Sequence, residues 1–152
     1  MKKDCLEDLL RVRQLESPDE VAVFDGVLET LSSDVLSKGD LVDLLSVFID
    51  RTRNEEVMYG LLHLIEGGDI NLVVDALMQV APDMRATASD WLDTFIYRLL
   101  NGDHSRGVLI DHLKQSKHTP GGAEIVYRLA AMEQDASEKI RERASFVLSK
   151  LN

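Results

Sequence analysis

Leucine, valine, isoleucine and phenylalanine return along the chain every third or fourth residue, the spacing of one helix face, and no stretch alternates as a strand does. Cap and turn residues divide this pattern into about nine helical segments of ~10–17 residues. The first runs from about Asp4 to Glu16, with Leu6, Leu9, Leu10 and Val12 on one side. Ser17-Pro18-Asp19-Glu20 starts the second: Ser17 suits the cap, Pro18 the first helical position, and Glu20 completes a capping box. Val21, Phe24, Leu28 and Leu31 then share one face, leaving Asp25 and Glu29 on the other. Gly39-Asp40 opens a third helix with Leu41, Leu44, Leu45, Phe48 and Ile49 inward and Asp43 and Asp50 outward.

Asn54-Glu55-Glu56 begins a fourth helix, with Val57, Leu61, Leu62, Leu64 and Ile65 as its apolar face and Gly67-Gly68 as its end. Asp69 caps a fifth, carrying Leu77 and Val80, which Pro82 terminates. The sixth, from about Arg85 to Leu100, holds Ala88, Trp91, Leu92, Phe95, Ile96, Leu99 and Leu100. An arc that wide suits a central helix packed on more than one side. Asn101-Gly102 stops it, both residues tolerating the left-handed conformation at a helix end. A seventh spans Ser105 to Gln115, and His118-Thr119-Pro120-Gly121-Gly122 reads as a loop. The eighth covers about Ala123 to Glu133 and the ninth Ser137 to Leu151.

The fold class is therefore all-α, in one domain spanning residues 1–152. Successive pairs recur at roughly 30–40 residues, which points to a HEAT-like stack of antiparallel helical hairpins, with a compact irregular bundle as the alternative. Composition agrees: 45% of the residues are hydrophobic but only 5% aromatic, a balance suited to helix-on-helix packing. No apolar run approaches the roughly 18–20 residues of a membrane span. Acids at Asp4, Glu7 and Asp8 interrupt any signal-peptide core, and Cys5 is the only cysteine. These features predict a cytoplasmic protein without internal disulfides.

Charge changes the picture most. The net −10 is concentrated in residues 14–84, where fifteen acidic side chains face only Lys38, Arg51 and Arg53. Residues 1–13 and 85–152 each sum to +1. Asp19, Asp25, Glu29, Asp40, Asp43 and Asp50 all fall where the second and third helices are expected to turn from the core. Such a field repels phosphate backbones, which argues against nucleic-acid binding, and attracts a basic protein partner. The same carboxylates would also keep a leucine-rich chain in solution.

Signals for catalysis are poor. His63, His104, His112 and His118 form no metal-binding spacing, although Asp103 and Asp111 adjoin two of them. Ser105, His112 and Asp111 can be assembled into a triad on paper, as such residues can in most sequences. Cys5, near the end of an amphipathic helix, reads as an ordinary small apolar residue. Gly67-Gly68 and Gly121-Gly122 lack the Lys-Ser/Thr of a phosphate loop and read as helix ends. Trp91 and Phe95, four residues apart in a leucine-rich helix, have the spacing of core. Neither a cofactor, a metal site nor enzymatic activity is expected.

The middle of the chain resembles the immunity protein 30 family of bacterial polymorphic toxin systems, over roughly residues 40–115. The similarity lies in Glu56-Val57-Met58, Leu61-Leu62-His63-Leu64-Ile65-Glu66, Ala81-Pro82, Ala88-Ser89-Asp90-Trp91 and Arg98-Leu99-Leu100-Asn101. It implies a helical cytoplasmic antidote that binds and blocks a cognate toxin, and brings no catalytic residues. A toxin with a basic surface, such as a nuclease, would suit the acidic helices, whose six carboxylates are the expected contacts. Glu66, Trp91, Arg98 and Asn101 match the motif as structural residues, with Glu66 a partner for Arg98. A helical-repeat scaffold or toxin-loading adaptor that binds without inhibiting is the competing expectation.

Overall fold

In a computed structural model describing residues 1–152, the hydrophobic periodicity resolves into nine α-helices and no strands. They are α1 (Lys3–Val12), α2 (Pro18–Leu31), α3 (Lys38–Leu45), α4 (Glu55–Glu66), α5 (Ile70–Thr87), α6 (Ser89–Asn101), α7 (Asp103–Ser116), α8 (Pro120–Met132) and α9 (Glu138–Ser149). The chain divides into two compact units, Met1–Ala76 and Leu77–Asn152, and the dividing line falls inside α5. No helix is long and apolar enough to cross a membrane.

The first unit forms as α2 packs on α1 and α4, and α3 packs on α4. Phe24, Leu31, Leu41, Leu44, Leu45, Met58, Leu61, Leu62 and Ile65 are buried between these helices. Met58, a candidate for neither face in the sequence, is fully buried, while Val57 and Leu64 are only half-buried. Helix α3 stops at Leu45, short of expectation. Phe48 and Ile49 still reach the core, from the irregular segment that follows.

In the second unit α6 packs on α7, α7 on α8, α8 on α9, and α9 back on α6 and α7. Trp91, Leu92, Phe95, Ile96, Leu109, Leu113, Ile125, Leu129 and Val147 are buried there, so α6 does present a broad apolar arc.

Three boundaries depart from the sequence reading for identifiable reasons. Pro82 does not end α5, which continues five residues to Thr87; the break comes at buried Ala88, in a non-helical conformation. Residue 82 would ordinarily donate to the Met78 carbonyl, and a proline has no N–H to give. The backbone of Gly121 in α8 lies over that carbonyl, so close that a β-carbon there would overlap the oxygen. Gly121 and Gly122 are consequently not a loop but the buried first turn of α8. Thr119 caps it by accepting from Gly122 N–H at 3.1 Å, and Pro120 occupies the first helical position. A β-carbon on Gly122 would in turn overlap the Ser116 carbonyl.

The third departure concerns helix ends. No glycine adopts positive φ, so neither Gly67 nor Gly102 closes its helix in the left-handed way. Instead Ser105 Oγ donates to the Leu99 carbonyl at 2.7 Å and Arg106 to the Leu100 carbonyl at 2.6 Å, covering the open end of α6.

Candidate functional site

The acidic residues sort by the local structure that holds each. Ser17 accepts from Glu20 N–H at 3.2 Å, and Glu20 accepts from Glu16 N–H at 2.8 Å, one residue further back than a strict capping box. This fixes the start of α2 and leaves Asp19 exposed in its first turn. Phe24, Val27 and Leu31 anchor the inner face of α2, so Asp25 and Glu29 project as an exposed pair one turn apart. On α3, Asp43 is exposed opposite Leu41, Leu44 and Leu45.

Asp40 and Asp50 behave differently. Asp40 is the third residue of a complete capping box: its carboxylate accepts from Ser37 N–H at 3.0 Å, and Ser37 Oγ accepts from Asp40 N–H at 3.1 Å. The N-terminal ammonium of Met1 lies 3.5 Å away. Partial burial would raise this carboxyl, but the hydrogen bonds from Ser37 and the ammonium outweigh it and hold Asp40 below its ordinary value. Its carboxylate is already engaged within the fold. Asp50 lies half-buried in the segment after α3 rather than on that helix's outer face.

Four of the six, Asp19, Asp25, Glu29 and Asp43, therefore stand in solvent without an ion pair. The cations of this unit are largely engaged elsewhere: Lys3 with Glu7, Arg11 with Asp8, Lys38 with Asp75, and Arg13 on the Ser46 carbonyl. Residues 1–76 contain seventeen acidic and seven basic side chains, and residues 77–152 ten of each. The whole net charge thus belongs to the first unit. A cleft of about 560 Å³ also opens there between the Ser32–Leu36 segment and the α4–α5 turn, with Asp34 and Asp69 in its lining. Val35 beside it is 98% exposed.

Of the motif residues, Trp91 and Asn101 are engaged within the fold. Trp91 is buried, and Asn101 Oδ1 accepts from Arg143 at 2.9 Å, tying α6 to α9. Glu66 and Arg98 are both exposed.

One constellation escaped the sequence reading. Arg128, buried on α8, donates from Nε to Glu124 at 2.9 Å, from Nη1 to Asp93 at 2.9 Å and to the Ser89 carbonyl at 3.0 Å, and from Nη2 to Ser89 Oγ at 2.9 Å. Glu124, equally buried, also faces Arg85 at 3.6 Å. The Glu124–Arg128 spacing of four was a visible helical signal, but Ser89 and Asp93 lie more than thirty positions away. The network borders a cleft of about 270 Å³ lined also by Tyr97, Tyr127 and Asp135. No group of three or more His, Cys, Asp or Glu side chains is placed to hold a metal ion. Ser105 directs its hydroxyl to the Leu99 carbonyl, in the service of the helix end.

A family model described as immunity protein 30 matches residues 11–109, roughly two thirds of the chain. It begins well before residue 40, so it takes in α2 and α3 as well as the tryptophan helix. No curated protein and no solved structure matches.

Proposed function

Because the chain belongs to the immunity protein 30 family, we propose that it binds and neutralises one cognate toxin in the cytoplasm by covering a basic surface of that toxin with its acidic first unit. The observation that carries this reading is the coincidence of charge and structure: the unit Met1–Ala76 holds all of the net −10 and presents four unpaired carboxylates on α2 and α3.

The physical logic is occlusion. A nuclease grips its substrate through a positive cleft, and an acidic protein seated there excludes the phosphate backbone sterically and electrostatically. The same field repels nucleic acid, so the toxin rather than its substrate is drawn to this chain. Attraction between opposite fields can raise association to roughly 10⁸–10⁹ M⁻¹s⁻¹ at low salt, which matters for an antidote that must act before its target does. The chain itself performs no chemistry in this scheme.

Co-expression with the toxin encoded beside it provides the test. The expected result is a stable 1:1 complex and loss of toxin activity; binding without inhibition would favour the adaptor reading instead. Changing Asp19, Asp25 and Asp43 to Asn and Glu29 to Gln together is expected to weaken the complex by roughly 10–100-fold, since each partly exposed charge pair is worth about 0.2–1 kcal/mol. Undiminished protection by that variant would refute the acidic-face mechanism.

A further inference from the structure

The cleft beside Arg128 has the chemistry of a cation receptor. Arg128 lines it but is 92% shielded from solvent, and its charge is shared between Asp93 and Glu124. Asp135 has only neutral donors on its carboxylate, the Tyr97 hydroxyl at 3.3 Å and Ser137 N–H at 2.8 Å. Arg141 bonds the main-chain carbonyl of Asp135 rather than the carboxylate. The negative field at the cleft is felt by Tyr97, whose proton is held more tightly than usual by burial and then by Asp135 and Asp93.

Tyr97 and Tyr127 add aromatic surface to these carboxylates, and Tyr127 is 72% exposed. A tyrosine that open has no role in a core, whereas tyrosine is among the residue types that anchor protein interfaces. At about 270 Å³ the cleft has room for one long side chain. An anion would meet Asp135, whose carboxylate no cation pairs, and Asp93, whose charge Arg128 offsets only in part because Glu124 shares it. A cation would meet those carboxylates and the two tyrosines together.

We propose that this cleft receives a single arginine or lysine side chain from the protein that this chain neutralises. The cationic head sits between Asp93 and Asp135, and its stem lies along Tyr97 and Tyr127. The cation preference stands independently of the immunity reading; only the source of the side chain rests on it.

The test is a titration of the full chain, followed by proton–nitrogen correlation NMR, with N-acetyl-arginine amide and with its neutral counterpart N-acetyl-citrulline amide. Saturable shifts at Ser89, Asp93, Tyr97 and Tyr127 are expected with the arginine compound, and binding about tenfold weaker with the citrulline one. Tyr127→Ala should weaken arginine-amide binding about fivefold. Asp135→Asn should act in the same direction; the exposure of Tyr127 makes its replacement neutral for folding. Equal response to both amides, absence of saturable shifts at the cleft, or indifference to both substitutions would overturn the proposal.

A second measurement addresses the source. Tyr127→Ala should also weaken the complex with the co-expressed toxin about fivefold. An unchanged toxin complex, alongside weakened amide binding, would overturn the assignment of a toxin side chain. If the unaltered chain binds no toxin at all, the immunity reading fails, while the amide titration still decides the cation site.

Discussion

At Gly121 a single hydrogen stands where any other residue would drive a carbon into the Met78 carbonyl of α5. The obstacle is backbone on both sides, so no rotamer change relieves it. Gly121→Ala is expected to cost about 3 kcal/mol or more, at the upper end of overpacking effects. Gly107 is the natural control: it lies within α7 with nothing near the site of a β-carbon. Gly107→Ala should stabilise by about 0.5–1 kcal/mol, because alanine holds a helix better. Urea midpoints of the two variants should therefore move in opposite directions, and a tolerated Gly121→Ala would contradict the close approach. Leu15 poses the opposite problem, with φ of 54° at a non-glycine position. That conformation costs roughly 1–2 kcal/mol. Burial of the side chain contributes roughly 1.5–3 kcal/mol, which outweighs it.

Among the helices, α3 depends most on its cap, since eight residues give it little intrinsic stability. Ser37→Ala should cost about 1 kcal/mol. The Asp40 half of the box makes a pH-dependent contribution whose sign follows from its lowered pKa. The folded state favours the ionised carboxylate, so this stability is fully present above the unfolded value of about 3.9 and is lost as pH falls below it. Denaturant midpoints should show wild type ahead of Asp40→Asn at neutral pH, with the gap closing below about pH 4. Elements of this kind were only half legible in the sequence. The period of the leucines located all nine helices, and Ser17-Pro18 fixed the start of α2, because those signals are local. The run of α5 through Pro82 and the placement of Gly121-Gly122 inside α8 were not legible, since each depends on the other across forty positions. Asp40 read as a surface acid although Ser37, three residues before it, offered the local signal of a capping box; only the Met1 ammonium beside it is remote in sequence.

On the scale of the molecule, the core and the charge make separate demands, and magnitudes show why both are met. The repulsion of Asp25 and Glu29 costs a few tenths of a kcal/mol. A fully buried leucine or phenylalanine contributes roughly 1.5–3 kcal/mol, and the first unit buries Phe24, Phe48, Leu41, Leu44, Leu45, Leu61 and Leu62. The fold can therefore carry a field that does not help it. That field acts at a distance and should govern how fast the toxin arrives, whereas a side chain held in the Tyr97–Tyr127 cleft should govern how slowly it leaves. Stopped-flow association with the toxin should slow by about tenfold or more as salt rises from low ionic strength toward 1 M, where the screening length shrinks to about 3 Å. Dissociation should change much less. Replacing exposed Asp25 and Glu29 with lysine should flatten this salt dependence. The same exchange at exposed Glu138 and Glu142 of the electrically neutral second unit should leave the slope nearly as it was, unless steering draws on the whole chain rather than on residues 1–76.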